Sequence, residues 1–212
     1  EEGAAKAREL GRLADIAASV EGPVSLANVE RRAFWTELVP GMSIERTEVP
    51  APLPIPGLAE LPARLRREGY IQVADVIPPD RIAKLRACIE TLHARGIPLP
   101  FAFVFDEPWA IFQSLRAYLE LVMGAGFMGL PAFWIWLVPP SDEASGWGPH
   151  RDRLWCTLDE DNSPHALTIW IPLTDATPLN GCMYVLPAHH DERFVRRVFD
   201  GPDANTVLEP QK

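Results

Sequence analysis

The sequence predicts an α+β chain, with helices first and short strands after. Apolar residues recur at helical spacing as far as Met123, and beyond Pro131 the period falls to two or gives way to short apolar runs. Proline, at 22 of 212 residues, stands at about twice the usual 5%, which favours turns and strand edges over long helices. Helices followed by a run of strands suggest that the second half is a sandwich or a barrel.

Composition narrows the classes. A length of 212 residues suits one fair-sized domain with room for a small appendage. Apolar residues at 47% and charged residues at 23% are ordinary for a globular protein and exclude wholesale disorder or a fibrous repeat. A net charge of -9 would repel a phosphate backbone, so nucleic acid is not an expected partner. No apolar run has the length of a membrane span, and Glu1 and Glu2 carry the wrong sign for a signal peptide, so the expected compartment is the cytoplasm. Cys88, Cys156 and Cys182 are an odd number at wide spacing, which points to buried free thiols and not to a disulfide framework or zinc knuckle.

Residues 1–56 read as a helical and extended arm. Leu10, Leu13, Ile16 and Ala17 lie near helical spacing within 3–20, and Gly22-Pro23 ends that helix. A second short helix is expected over Leu26 to Leu38. Pro50, Pro52, Pro54 and Pro56 then alternate in a stretch that must be extended, either a linker or an arm laid across a surface.

Residues 57–212 read as the main domain. Leu58, Leu61 and Leu65 mark a helix stopped by Gly69, followed by a strand at Tyr70 to Val73. Pro78-Pro79-Asp80 starts the best-defined helix, whose stripe is Ile82, Leu85, Ile89 and Leu92 and whose C-terminal glycine is Gly96. One further helix is expected over Trp109 to Met123, closed by Gly124 and Gly126. Strands are expected at Ala132 to Val138, Arg151 to Thr157, Ala166 to Leu173 and Cys182 to Leu186, divided by turn-rich pieces such as Thr177-Pro178-Leu179-Asn180-Gly181.

The sharpest local feature is Gly146-Trp147-Gly148-Pro149-His150-Arg151-Asp152-Arg153. On an extended segment His150 and Asp152 share a face, and Arg151 and Arg153 point the other way. An imidazole and a carboxylate so placed are two of the three donors of the facial arrangement that holds non-haem Fe(II) and leaves positions open for a co-substrate and oxygen. Alone, the pattern is common by chance and more often marks a surface or hydrogen-bonded histidine.

Its surroundings add weight. The run Leu167-Thr168-Ile169-Trp170-Ile171-Pro172-Leu173-Thr174-Asp175-Ala176-Thr177-Pro178-Leu179-Asn180-Gly181-Cys182 follows at a suitable interval. It resembles the phytanoyl-CoA dioxygenase family of Fe(II)- and 2-oxoglutarate-dependent oxygenases, in which a W-x-x-L-x-D-x-x-x-x-N-G-C stretch follows the iron-binding strand. Gly69-Tyr70-Ile71-Gln72-Val73, Ile77-Pro78-Pro79 and the helix after them look like the opening of that domain. The resemblance spans roughly residues 58 to 210.

The resemblance implies a double-stranded β-helix, the cupin-like jelly roll, with N-terminal helices packed on one sheet. It implies iron at His150 and Asp152, and Trp170 and, more weakly, Trp134 lining the 2-oxoglutarate pocket; both tryptophans equally suit a core role. Halogenating members lack the carboxylate, so Asp152 points to hydroxylation of a small organic substrate, with O2 and 2-oxoglutarate consumed. His189 and His190 match a P-G-[ST]-H loop that does not bind iron in the family. The family's distal histidine and its 2-oxoglutarate-binding arginine have no match before Lys212, so the expectation is a chain that stops short of its last strands and is inactive alone. The competing expectation is a non-catalytic jelly-roll module that binds a ligand without turnover.

Overall fold

The computed structural model describes residues 26–45, 50–130, 133–138, 150 and 164–192. The helix expected over 3–20 and the strand expected over 151–157 lie outside them. The helices among the described residues are α1 (Leu26–Val29), α2 (Arg32–Leu38), α3 (Leu61–Glu68), α4 (Pro79–Ala94), α5 (Asp106–Ser114) and α6 (Arg116–Met123). Short 3-10 turns occur at Leu58–Glu60, Leu99–Val104 and Ala188–His190. Residues 133–138, 166–173 and 182–186 run outside helices, as does 70–73, and none of them forms a strand ladder with other described residues. No helix among the described residues is long and apolar enough to cross a membrane.

The helix boundaries follow local chemistry. Proline at the start of α4 costs nothing, because its missing N–H would have had no partner there. At the other end Gly96 takes φ 65°, and the Ile97 N–H reaches back to the Leu92 carbonyl at 2.9 Å, closing the helix in a Schellman arrangement. The single helix expected over Trp109 to Met123 is two helices. It begins earlier, at Asp106, and breaks at Leu115, whose N–H bonds only three residues back to Phe112 at 3.1 Å. At the break the Ser114 carbonyl accepts the Leu53 N–H at 2.9 Å, so the proline-rich segment is an arm docked there. Leu53 and Ile55 are half-buried while Pro52, Pro54 and Pro56 are exposed, the alternation of an extended chain.

The chain divides into two compact units interleaved in sequence, Glu1–Val49 with Pro79–Ile111, and Pro50–Pro78 with Phe112–Lys212. The first unit centres on Trp35, 1% exposed, whose indole stacks on Phe101 at 5.1 Å and meets Phe105 edge-on at 6.2 Å. Its N–H donates to the Val29 carbonyl at 2.9 Å, so this large ring is buried without losing a hydrogen bond. Leu85, Cys88, Ile89 and Leu92 of α4 bury the same face, which confirms the stripe read from the sequence apart from Ile82, half-buried, and Cys88, which joins it.

One carboxylate ties this unit together. Glu107, in the first turn of α5, is buried and accepts the Ser43 N–H at 3.1 and 3.2 Å, the Ser43 hydroxyl at 3.1 Å and the Lys84 ammonium at 2.6 Å. The Asp106 N–H donates to the Ser43 carbonyl at 2.8 Å, so the segment after α2 is held by both directions of hydrogen bonding. Burial of a charge is tolerated when its oxygens are satisfied in this way.

In the second unit α3 packs on α6 and on the 188–190 turn, with Leu61, Leu65, Leu115, Leu119 and Ala188 buried. This core is small and aliphatic, and it carries the segments that hold the sequence-predicted site.

Candidate functional site

The motif segments from His150 onward belong to the second unit, and two local structures organise the described part of them. The first is the turn at Thr177–Asn180. The Asn180 side chain accepts the Thr177 N–H at 2.6 Å and the Thr177 hydroxyl at 3.2 Å, while its amide donates to the Asp175 carbonyl. Asn180 and Cys182 both send their N–H to the Thr177 carbonyl at 3.1 Å. Gly181 completes the reversal at φ 81°, a conformation that costs glycine nothing. The Asn-Gly pair of the motif is thus there for backbone reasons: the asparagine closes the loop and the glycine turns it. A Cβ on Gly181 would lie 3.8 Å from Val138 Cγ1, which sets this turn beside segment 133–138.

The second structure is the docking of Ala188–His190 on the end of α3. Gly69 ends α3 at φ 76°, its N–H bonded to the Leu65 carbonyl at 2.7 Å, and a Cβ placed on it would come within 3.0 Å of Ala188 Cβ. Beside this contact Glu68 takes a hydrogen bond from Arg67 Nε at 2.7 Å and faces His189 Nδ1 at 3.4 Å. The Arg67 hydrogen bond holds the Glu68 carboxyl below the usual carboxylate range; partial desolvation opposes it, and the charges of Arg67, His189 and Arg64 reinforce it.

The predicted site residues fall as follows. His150 is described and solvent-exposed, and Asp152 lies outside the described residues. Trp134, 61% exposed, lies parallel to Trp136 with centroids 5.7 Å apart and planes 6° apart, as two residues on one face of an extended segment should. Trp170 is 47% exposed. Among the described residues no three His, Cys, Asp or Glu side chains gather closely enough to hold a metal ion.

The thiols separate in character. Cys88 is fully buried, and burial, helped by the Glu107 charge, pushes its pKa up to about 12, leaving it an inert core residue. Cys182 is half-buried beside Tyr184, and their side-chain hydrogen bond, with the neighbouring thiolate charge behind it, holds the phenol above its ordinary range.

Sequence reading did not single out Glu68 or Glu107. Glu68 carries one local signal, a carboxylate at a helix C-terminus beside two arginines, Arg66 and Arg67, where a negative charge opposes the helix dipole unless cations surround it. Glu107 carries none, because Ser43 and Lys84 are 64 and 23 residues away from it.

A phytanoyl-CoA dioxygenase of Arabidopsis thaliana is 35% identical over 63 residues, which is 29% of this chain and 21% of the plant protein. The match therefore spans about a fifth of that relative's length. No solved structure matches the chain. The sequence profile of the phytanoyl-CoA dioxygenase family matches residues 103–211, just over half of the chain, taking in the H-x-D pattern, the Asn180-Gly181 turn and the 188–190 turn. On that extent of agreement, the chain belongs to the phytanoyl-CoA dioxygenase family.

Proposed function

We propose that this protein is an Fe(II)- and 2-oxoglutarate-dependent oxygenase that hydroxylates a small organic substrate, with residues 57–212 in a jelly-roll fold. The observation that carries this is the family match across residues 103–211 with His150 and Asp152 inside it. The donor chemistry fits a ferrous ion: a neutral imidazole and a carboxylate two residues apart suit a metal of intermediate hardness that must keep positions open. His150, exposed on its segment, and Asp152 would hold it. Bound iron and 2-oxoglutarate together supply oxygen activation, with carbon dioxide and succinate as the co-products.

The chain's own part is to orient and to exclude. A second hydrogen bond to a ligating imidazole fixes its tautomer, and His150 and Asp152 would hold the ion from one segment. Trp170 and the Trp134–Trp136 pair offer flat apolar walls that would shed water from 2-oxoglutarate and substrate. The asparagine-closed turn at 177–180 keeps the segment after Trp170 in a defined course.

The test is succinate formation by the intact protein. The expected result is release that requires both Fe(II) and 2-oxoglutarate and disappears in Asp152→Ala and His150→Ala. Ligand binding without any succinate, under conditions where Fe(II) is bound, would identify a non-catalytic module and end the oxygenase reading.

A further inference from the structure

Glu68 is the last residue of α3, where its charge meets the negative end of the helix dipole. Cations offset that cost from two sides. Arg67 and Arg64 supply charge from the helix itself, and His189 supplies it from the 188–190 turn when its ring is protonated. Immediately below, Gly69 and Ala188 are in close contact, so the turn is already seated on the helix end before any charge is counted. His190 lies beside His189, ring centroids 4.2 Å apart, and Asp191 follows with an interaction of its own. On α6, the other helix against α3, Arg116 and Glu120 pair with each other at 2.7 Å.

We propose that Glu68 and His189 form a proton-operated clasp that tightens the 187–190 turn on the C-terminal end of α3 while both side chains are charged and relaxes when either loses its charge. The pair attracts only while both partners are charged. When the imidazole gives up its proton the clasp loses its cation. Glu68 has a pKa below the ordinary 4.5, so its contribution is complete above 4.5 and is lost as pH falls through the lowered value. The device rests on this geometry alone, and its failure would leave the oxygenase reading untouched.

The experiment is an NMR titration of the intact protein, following the Glu68 carboxyl carbon and the exchange of the His190 and Asp191 amides, which bond to the Pro187 and Ala188 carbonyls. In H189Q the Glu68 midpoint should rise, while H190Q leaves it in place. After correction for the intrinsic rate, both amides should exchange about two- to fourfold faster at pH 8 than at pH 6, the size of an exposed ion pair. That ratio should fall to one in E68Q and in H189Q, both of which change only solvent-accessible side chains. A Glu68 midpoint unchanged by H189Q, or an exchange ratio that survives in E68Q, would overturn the clasp.

Discussion

Gly69 and Ala188, 119 positions apart in sequence, approach so closely that a methyl group on the glycine would sit 3.0 Å from the alanine Cβ. The glycine also holds φ 76°, where an L side chain is strained. Gly69→Ala should therefore destabilise the protein by about 2–3 kcal/mol, part from the backbone and part from the clash. Adding Ala188→Gly should recover the steric part and leave the conformational part, a split that urea unfolding of the single and double variants measures directly.

Glu107 offers a second test. Glu107→Ala strips the acceptor from the Ser43 N–H and hydroxyl and leaves Lys84 without its partner, for an expected loss of about 2–4 kcal/mol. Glu107→Gln keeps an oxygen for Ser43 but not the charge, and should cost roughly half as much. Equal losses in denaturant melts would mean that the charge carries none of the effect.

The Cys88 thiol makes stability depend on alkaline pH. Its proton is held up to about 12 in the folded protein against 9.0 when unfolded, so the unfolded chain binds fewer protons above 9.0. Stability should be unaffected by this group below 9.0 and fall as pH rises from there. Cys88→Ala should flatten that alkaline slope, and in the native protein Cys88 should resist alkylation at neutral pH while half-buried Cys182 reacts.

Asn180 closes its turn through both ends of its amide. Asn180→Asp retains the acceptor for Thr177 and loses only the donor to the Asp175 carbonyl, whereas Asn180→Ala loses both. The expected order is wild type, then Asp, then Ala, with about 1 kcal/mol lost in the alanine variant because the turn is solvent-exposed and water replaces part of the bonding. Thermal melts at fixed pH check the order.

The sequence by itself determined what local chemistry controls. Pro79 and Gly96 bound α4, Gly69 stops α3, and Leu85, Ile89 and Leu92 of the α4 stripe bury as their spacing requires, because caps and periodicity act within a turn or two of the residues that encode them. The family too is legible in the sequence, whose residues 103–211 match it and contain both the H-x-D pattern and the Asn-Gly pair. What only the tertiary structure decided depends on partners far along the chain. The break at Leu115, where Leu53 reaches the Ser114 carbonyl, turns one expected helix into two. The buried role of Glu107 needs Ser43 and Lys84, and the second reason for glycine at 69 is an alanine at 188. A hydrogen bond or a steric contact between distant residues leaves no period in the sequence, so it becomes visible only once the chain has brought them together.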